Sequence, residues 1–413
     1  MTGSRIMTDR SVPRRARAAG DASRDGRGRV LSVPPILQYG FRPFFFLASL
    51  HAGLAIPAWL WLFYSGTEPY GPFAGLEWHV HEMLFGYLAA VIAGFILTAV
   101  PNWTGRLPLS GGRLAVLAGL WLAGRLACLL QPDPVMAMVI DLMFPVALAA
   151  AIWREVLAGR NWRNAPVAVM LTLFAIANAL HHGENLAIAP DDLGIRLALG
   201  AVAMLIALIG GRIVPSFTRN WLARNGQTRL PASLGGLDKL ALIVTGTALV
   251  FWIARPHAAA TGIVLVSSGG LLMLRLARWR GLAAIASPIV FVLHAGYGWL
   301  AASMLLLGAA ILWDGIPQSA AVHALTAGAI GIMTLAVMTR ASLGHTGRVI
   351  RSDGWTVAIY VLVTLGALAR VAAPLAGTHY LPTLAIGGAL WSLAFLTFAA
   401  TYGPMLWRPR LVG

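Results

Sequence analysis

The sequence has little charge. Asp, Glu, Lys and Arg make up 11% of its 413 residues, against 58% hydrophobic residues. A soluble chain of this length needs a larger charged shell, so composition excludes an ordinary water-soluble domain and implies a membrane protein. Cysteine is almost absent. Cys128 stands alone inside an apolar run, which excludes an internal disulfide, and no Cys-x-x-Cys-His motif offers covalent haem attachment. A bound metal is therefore expected on His, Met or carboxylate groups rather than on thiolates. No Gly-x-x-x-x-Gly-Lys phosphate loop and no hydrolase nucleophile elbow occur, so nothing supports an ATP-driven pump or a serine hydrolase. Lysine is reduced to Lys239, and the net charge of +16 comes from arginines scattered through short loops, which is a poor basis for nucleic-acid binding.

Long apolar runs are what the chain does have. A spanning helix needs roughly 20 apolar residues. Twelve segments qualify, at about 43–64, 79–100, 113–131, 134–153, 165–182, 193–213, 236–254, 257–275, 288–312, 318–339, 355–373 and 380–403. The expected fold is all-α, a polytopic membrane domain over 39–413 that follows a disordered basic tail over 1–38. The tail is Arg-rich, but Ser-Arg-Asp-Gly-Arg-Gly-Arg at 23–29 stands where a signal peptide needs an apolar stretch after its basic region, so it does not read as a signal peptide.

Loop charge orients this count. With a cytoplasmic N-terminus, the only basic residues outside are Arg125, Arg196, Arg255 and Arg370, while Glu68, Glu77, Asp133, Glu184, Asp191, Asp192 and Asp314 all fall outside. Lys and Arg set orientation, so both termini are expected in the cytoplasm of a bacterial inner membrane. A weak echo also recurs every four helices: Val-Pro-Asn-Trp-Thr-Gly-Arg at 100–106, Val-Pro-Ser-Phe-Thr-Arg-Asn at 214–220, and Val-Met-Thr-Arg-Ala-Ser followed by Gly-His-Thr-Gly-Arg at 344–348. It reads either as three pseudo-repeated four-helix units or as the common composition of helix ends.

Ionisable groups at membrane depth are costly and are functional candidates by default. His79, His81, His181, His182, His257, His323 and His379 fall at the outer ends of their helices, His51 and His294 in the inner half, and His345 in an inner turn. His79 and His81 lie in Trp-His-Val-His-Glu-Met. A helix turns about 100° per residue, so these two rings point about 200° apart. Either His79 precedes the helix proper, or the two serve separate sites on opposite faces. Glu82, three residues after His79, is expected to share its face as a supporting partner. His294 and His345 form a candidate inner pair. Arg212, Arg219, Arg340 and Arg348 suit carboxylate recognition, including haem propionates, or contact with lipid headgroups. Arg125 and Asp141, at similar depth on neighbouring helices, are expected to form a structural ion pair.

Gly-Phe-Arg-Pro-Phe-Phe (40–45), Trp-His-Val-His-Glu-Met-Leu-Phe-Gly-Tyr (78–87), Ala-Gly-Phe-Ile-Leu-Thr-Ala-Val-Pro-Asn-Trp-Thr-Gly (93–105), Gly-Gly-Arg-Ile-Val-Pro-Ser-Phe-Thr (210–218) and His-Ala-Leu-Thr-Ala-Gly-Ala-Ile-Gly (323–331) together resemble the NnrS family. The resemblance covers essentially everything after residue 38. It implies a haem- and copper-containing membrane protein linked to nitric oxide metabolism and to resistance against nitrosative stress. It places the family's histidines at His79, His81, His182, His294, His323 and His345. On that reading His81 and His323 hold haem b, with Arg212 and Arg340 as cofactor-binding arginines, and His79 and His182 hold a neighbouring metal. Nitric oxide or a related species is the expected partner, with a quinol or cytochrome as electron donor and no nucleic acid. A haem-dependent oxidoreductase, a transporter or channel for a metal complex or small solute, and a non-catalytic sensor all remain open. The helix count is also similar to haem-copper oxidase catalytic subunits, a likeness of fold that licenses no activity.

Overall fold

The computed structural model describes residues 22–24, 30–104 and 107–411. Most of the expected basic tail lies outside the described residues. Within it, Ala22–Arg24 and Val30–Ser32 pair as a short antiparallel ribbon.

Among the described residues, twelve helices are long and apolar enough to cross a membrane: α1 Phe41–Ser65, α2 Gly75–Val100, α3 Gly112–Leu130, α4 Pro134–Ala158, α5 Trp162–Asn185, α6 Leu193–Arg224, α7 Gly236–Ala254, α8 Ala259–Ala277, α9 Pro288–Leu312, α10 Gln318–His345, α11 Gly354–Leu375 and α12 Gly377–Trp407. The twelve expected segments are these helices. Hydrocarbon leaves backbone N–H and C=O groups no partner except each other, and a helix satisfies them internally. Local chemistry sets several ends. Pro134 and Pro288 sit in the first turns of α4 and α9, where a missing N–H costs nothing, and the Asp133 carboxylate caps the amides of Val135 and Met136.

The helices are not equally buried. In α2 and α10, 78% of the most apolar window is inside the bundle, against 33% to 39% in α3, α4, α7, α8 and α11. Thus α2 and α10 are the central helices, and the outer ones present their apolar side chains to lipid. Among the described residues, three π-helical turns interrupt the α-helical ladder, at Glu82–Leu88 in α2, Ile206–Gly210 in α6 and Ala324–Ile330 in α10. Such turns release backbone carbonyls, and here side chains take them up. The Trp121 indole donates to the Gly86 carbonyl at 2.9 Å, and Arg275 donates to the Ala207 carbonyl at 3.0 Å. π-turns are frequent at functional sites, and those of α2 and α10 follow directly on His81 and His323.

Candidate functional site

Up-and-down connection brings the start of α2, α4 and α10 to the same end of the bundle as the finish of α3, α5 and α11. His79, His81, Arg125, Cys128, Asp141, His181, His182, His323 and Arg370 therefore gather at one end, and α2 divides them. Its helix begins at Gly75, ahead of both histidines, so the first alternative for His79 and His81 falls away. The two rings serve opposite faces.

On one face, His81 packs against α3, α4 and α5. Its Nδ1 lies 3.1 Å from Glu82 Oε1, and its Nε2 lies 3.1 Å from Asp141 Oδ2. His182 Nε2 approaches the same Asp141 oxygen at 3.2 Å, and Asn178 Nδ2 donates to it at 2.7 Å. Cys128 Sγ is 4.0 Å from His81 Nε2. One ligand atom from each of His81, Cys128, Asp141 and His182 lies within 4.8 Å of the other three, and all four residues are buried. Four donors this close can hold one metal ion. Two imidazoles and a thiolate suit a borderline or soft ion such as copper or zinc.

The surroundings hold these groups in place. Arg125 Nη1 donates to Glu82 Oε1 at 2.7 Å, and its Nη2 bonds Asp141 Oδ1. The expected Arg125–Asp141 ion pair is present and belongs to this larger network. His51 of α1 extends it, with Nε2 2.9 Å from Glu82 Oε2. Two carboxylates face one guanidinium, so one carboxylate is left for a bound cation to offset. Gly86 is required here, because a Cβ would meet His51 Nε2 at 2.8 Å and Arg125 Nη1 at 2.9 Å. Phe73, from the loop before α2, covers the group. Its ring centroid lies 4.6 Å from that of His81 and 5.0 Å from that of His182. His181 stacks on Phe73 and bonds Glu184 at 3.3 Å, so His182 rather than His181 joins the four-residue group.

On the other face, His79 turns toward α1, α10, α11 and α12. It stacks on Trp59 at 4.2 Å between centroids. With His323, Arg370, Tyr87 and Trp391 it lines a largely apolar cavity holding about 1010 Å³ of empty space, part of it open to the surroundings. Facing this space leaves both histidines half-buried. His323 Nδ1 donates to the Ser319 carbonyl at 2.7 Å, which leaves the Nε2 lone pair free. His79 Nδ1 is buried with no hydrogen-bond partner.

Five expectations change. The pairing of His81 with His323, and of His79 with His182, is exchanged, because opposite faces of α2 send His81 to α5 and His79 to α10. Glu82 supports His81 rather than His79. Cys128 belongs to the metal group, although a lone cysteine in an apolar run reads as packing; it lies one turn beyond Arg125 on the α3 face that meets α2. The inner pair is not assembled among the described residues. His294 Nε2 meets Thr218 Oγ1 at 2.7 Å beside α6, whereas the His345 ring lies against Phe41 of α1 at 5.5 Å. Arg212 and Arg340 lie toward the opposite end of the bundle from the cavity. Arg212 is exposed, and the Arg340 guanidinium sits 3.7 Å over the Phe217 ring. Arg340 is 17 residues beyond His323 on α10, roughly 25 Å along the helix. The sequence reading missed Asn178 and the cavity role of Arg370; the one available signal was an arginine at the end of a helix otherwise poor in charge.

These features define a class: a polytopic membrane protein whose central helix separates a closed metal-binding group from an open, histidine-lined cavity. The chain belongs to the NnrS family, whose model, described as NnrS protein, matches residues 35–410. Membership points to a nitric oxide-related role. No curated protein matches the chain.

Proposed function

We propose that this protein is a haem- and copper-binding inner-membrane protein that acts in nitric oxide metabolism or resistance to nitrosative stress, by binding nitric oxide or a related species or by its redox turnover. The observation that carries this reading is the division made by α2, which gives His79 and His81 to two chemically different sites.

The residues fit both groups. The cavity offers an imidazole with a free Nε2, a second imidazole with an unpartnered nitrogen, and a largely apolar lining that opens to the surroundings. His79 and His323 would hold a haem there, and a haem iron supplies diatomic binding and one-electron chemistry. Ser319 fixes the tautomer of His323, and Trp59 orients the His79 ring by stacking. The closed group would hold copper through His81, Cys128 and His182, with Asp141 as ligand or as the partner that orients both imidazoles. Arg125 and Glu82 fix Asp141 and His81, and Phe73 keeps water from the group.

Two structural expectations belong to this reading. Twelve crossings would bring the start of α1 and the finish of α12 to one side, and loop charge supports the cytoplasm as that side, which would make the histidine end periplasmic. The π-turns at every fourth helix support three related four-helix units.

Optical spectroscopy and elemental analysis of the purified full-length protein test the proposal, followed by nitric oxide consumption with an added reductant. A Soret band with iron and copper is expected. Absence of both metals would sink the reading, and metal without consumption would leave binding rather than turnover as the activity.

A further inference from the structure

The cavity holds a positive charge that the protein does not neutralise. Arg370, near the end of α11, lines it and makes no ion pair among the described residues. An arginine near a helix end ordinarily reaches out to the membrane interface. Here Nη2 is tethered to Ser319 Oγ on α10 at 3.2 Å, and Nη1 is buried with no hydrogen-bond partner. The same Ser319 accepts from His323 Nδ1 through its carbonyl. One serine thus ties the guanidinium to the imidazole and sets both on one wall of the cavity. A guanidinium presents a planar fork of donors that matches a carboxylate. The residue is half-buried, yet its Nη1 is shielded from water without a partner, and an incoming anion would satisfy it.

We infer that Arg370 is the anchor for a carboxylate of the cavity's ligand, an amphipathic porphyrin whose apolar body lies against the cavity wall while its charged edge meets Arg370. The inference rests on the reading of the cavity as a porphyrin site. It moves carboxylate recognition from Arg212 and Arg340, at the far end of the bundle, to a residue tethered to His323. Arg370 then fixes the ligand's orientation relative to His79 and His323.

The test uses the full-length protein, produced under haem limitation and reconstituted into nanodiscs, with fluorescence titration of zinc protoporphyrin IX and of its dimethyl ester, which lacks the carboxylates. Wild type is expected to bind the free acid more tightly than the ester. Arg370→Gln is expected to weaken the free acid by roughly 10–100-fold, the worth of a charge-assisted hydrogen bond, while leaving the ester unchanged. Arg370→Lys keeps the charge without the fork and should fall between; it also serves should the glutamine variant fail to fold. Equal affinities of each variant and wild type for both porphyrins overturn the inference and leave the cavity reading standing. Failure of wild type to bind either porphyrin overturns the cavity reading, and the inference with it. Nitrite binding that depends on Arg370, with both porphyrins bound alike, assigns the residue to a small inorganic anion and overturns the carboxylate assignment.

Discussion

The two faces of α2 differ in almost every physical respect. The His81 face is closed and dense: His81, His182, Asn178 and two carboxylates bond one another, the carboxylates oppose one guanidinium, and an aromatic ring seals it. The His79 face is open and sparsely polar: among the described residues, His79 Nδ1 and Arg370 Nη1 lack partners and the arginine has no opposing carboxylate. A small cation suits the first face, because it completes a negative, preformed cage. A large ligand with an apolar body and an anionic edge suits the second. One helix serves both because positions two apart point to opposite sides, so a two-residue spacing separates chemistries that a four-residue spacing would merge.

The contrast breaks most severely at Asp141. Its carboxylate is shared by Arg125, His81, His182 and Asn178. Asp141→Ala leaves a buried guanidinium short of one partner and is expected to cost about 3–5 kcal/mol. Thermal unfolding in detergent measures this. Asp141→Asn keeps the shape, loses the charge, and is expected to lose the bound metal at a smaller cost in stability. A wild-type melting point for Asp141→Ala would show that the network is ornamental.

Cofactor retention sharpens the contrast. His79→Ala and His323→Ala are expected to abolish the haem absorption and keep copper near its wild-type amount. His81→Ala and His182→Ala are expected to do the reverse. Optical spectra and elemental analysis on all four variants decide the matter, and loss of both cofactors in every variant would mean that the two faces form one centre.

How much of this was legible in the sequence follows from which relations are local. Span number and end-to-end alternation rest on runs of apolar residues and on loop arginines, and both can be read along the chain. The Arg125–Asp141 pair was legible because α3 and α4 are consecutive and antiparallel, so equal depth means proximity. The 200° separation of His79 and His81 likewise follows from one helix alone. Which ring meets His182 and which meets His323 depends on where α5 and α10 pack around α2, and no local pattern encodes that. Cys128 and Arg370 were opaque for the same reason, since a single polar residue at a helix end signals nothing until its facing helix is known. The inner pairing of His294 with His345 failed because the two are not at one depth: α9 meets α10 where Gly296 faces Met333, and His345 lies twelve residues further along α10.

A smaller break lies at Gly86, where the π-turn lets α2 approach His51 and Arg125. Gly86→Ala places a methyl inside van der Waals range of both side chains and is expected to cost about 1–3 kcal/mol. Part of the strain is expected to fall on the Arg125–Glu82 contact, so the variant should release metal to a chelator faster while its haem spectrum stays unchanged. An altered haem spectrum would show that the faces communicate through the π-turn.

The smallest effect belongs to a control remote from both faces. Asp353 caps α11 at the opposite end from Arg370, accepting hydrogen bonds from the Thr356 hydroxyl at 2.7 Å and from the Thr356 amide at 2.8 Å. These bonds hold the Asp353 carboxyl below the ordinary carboxylate range. A lowered folded value means that the cap contributes fully above the unfolded value of about 3.9 and is lost as pH falls through the folded one. Asp353→Ala is expected to cost about 1 kcal/mol at neutral pH, with the difference from wild type vanishing in acid. Melting temperatures at pH 7 and at low pH measure it. Because α11 also carries Arg370, the variant separates general loosening of that helix from loss of the arginine: porphyrin affinity is expected to stay at the wild-type level, and a drop matching that of Arg370→Gln would mean that the arginine acts through helix position rather than through its own charge.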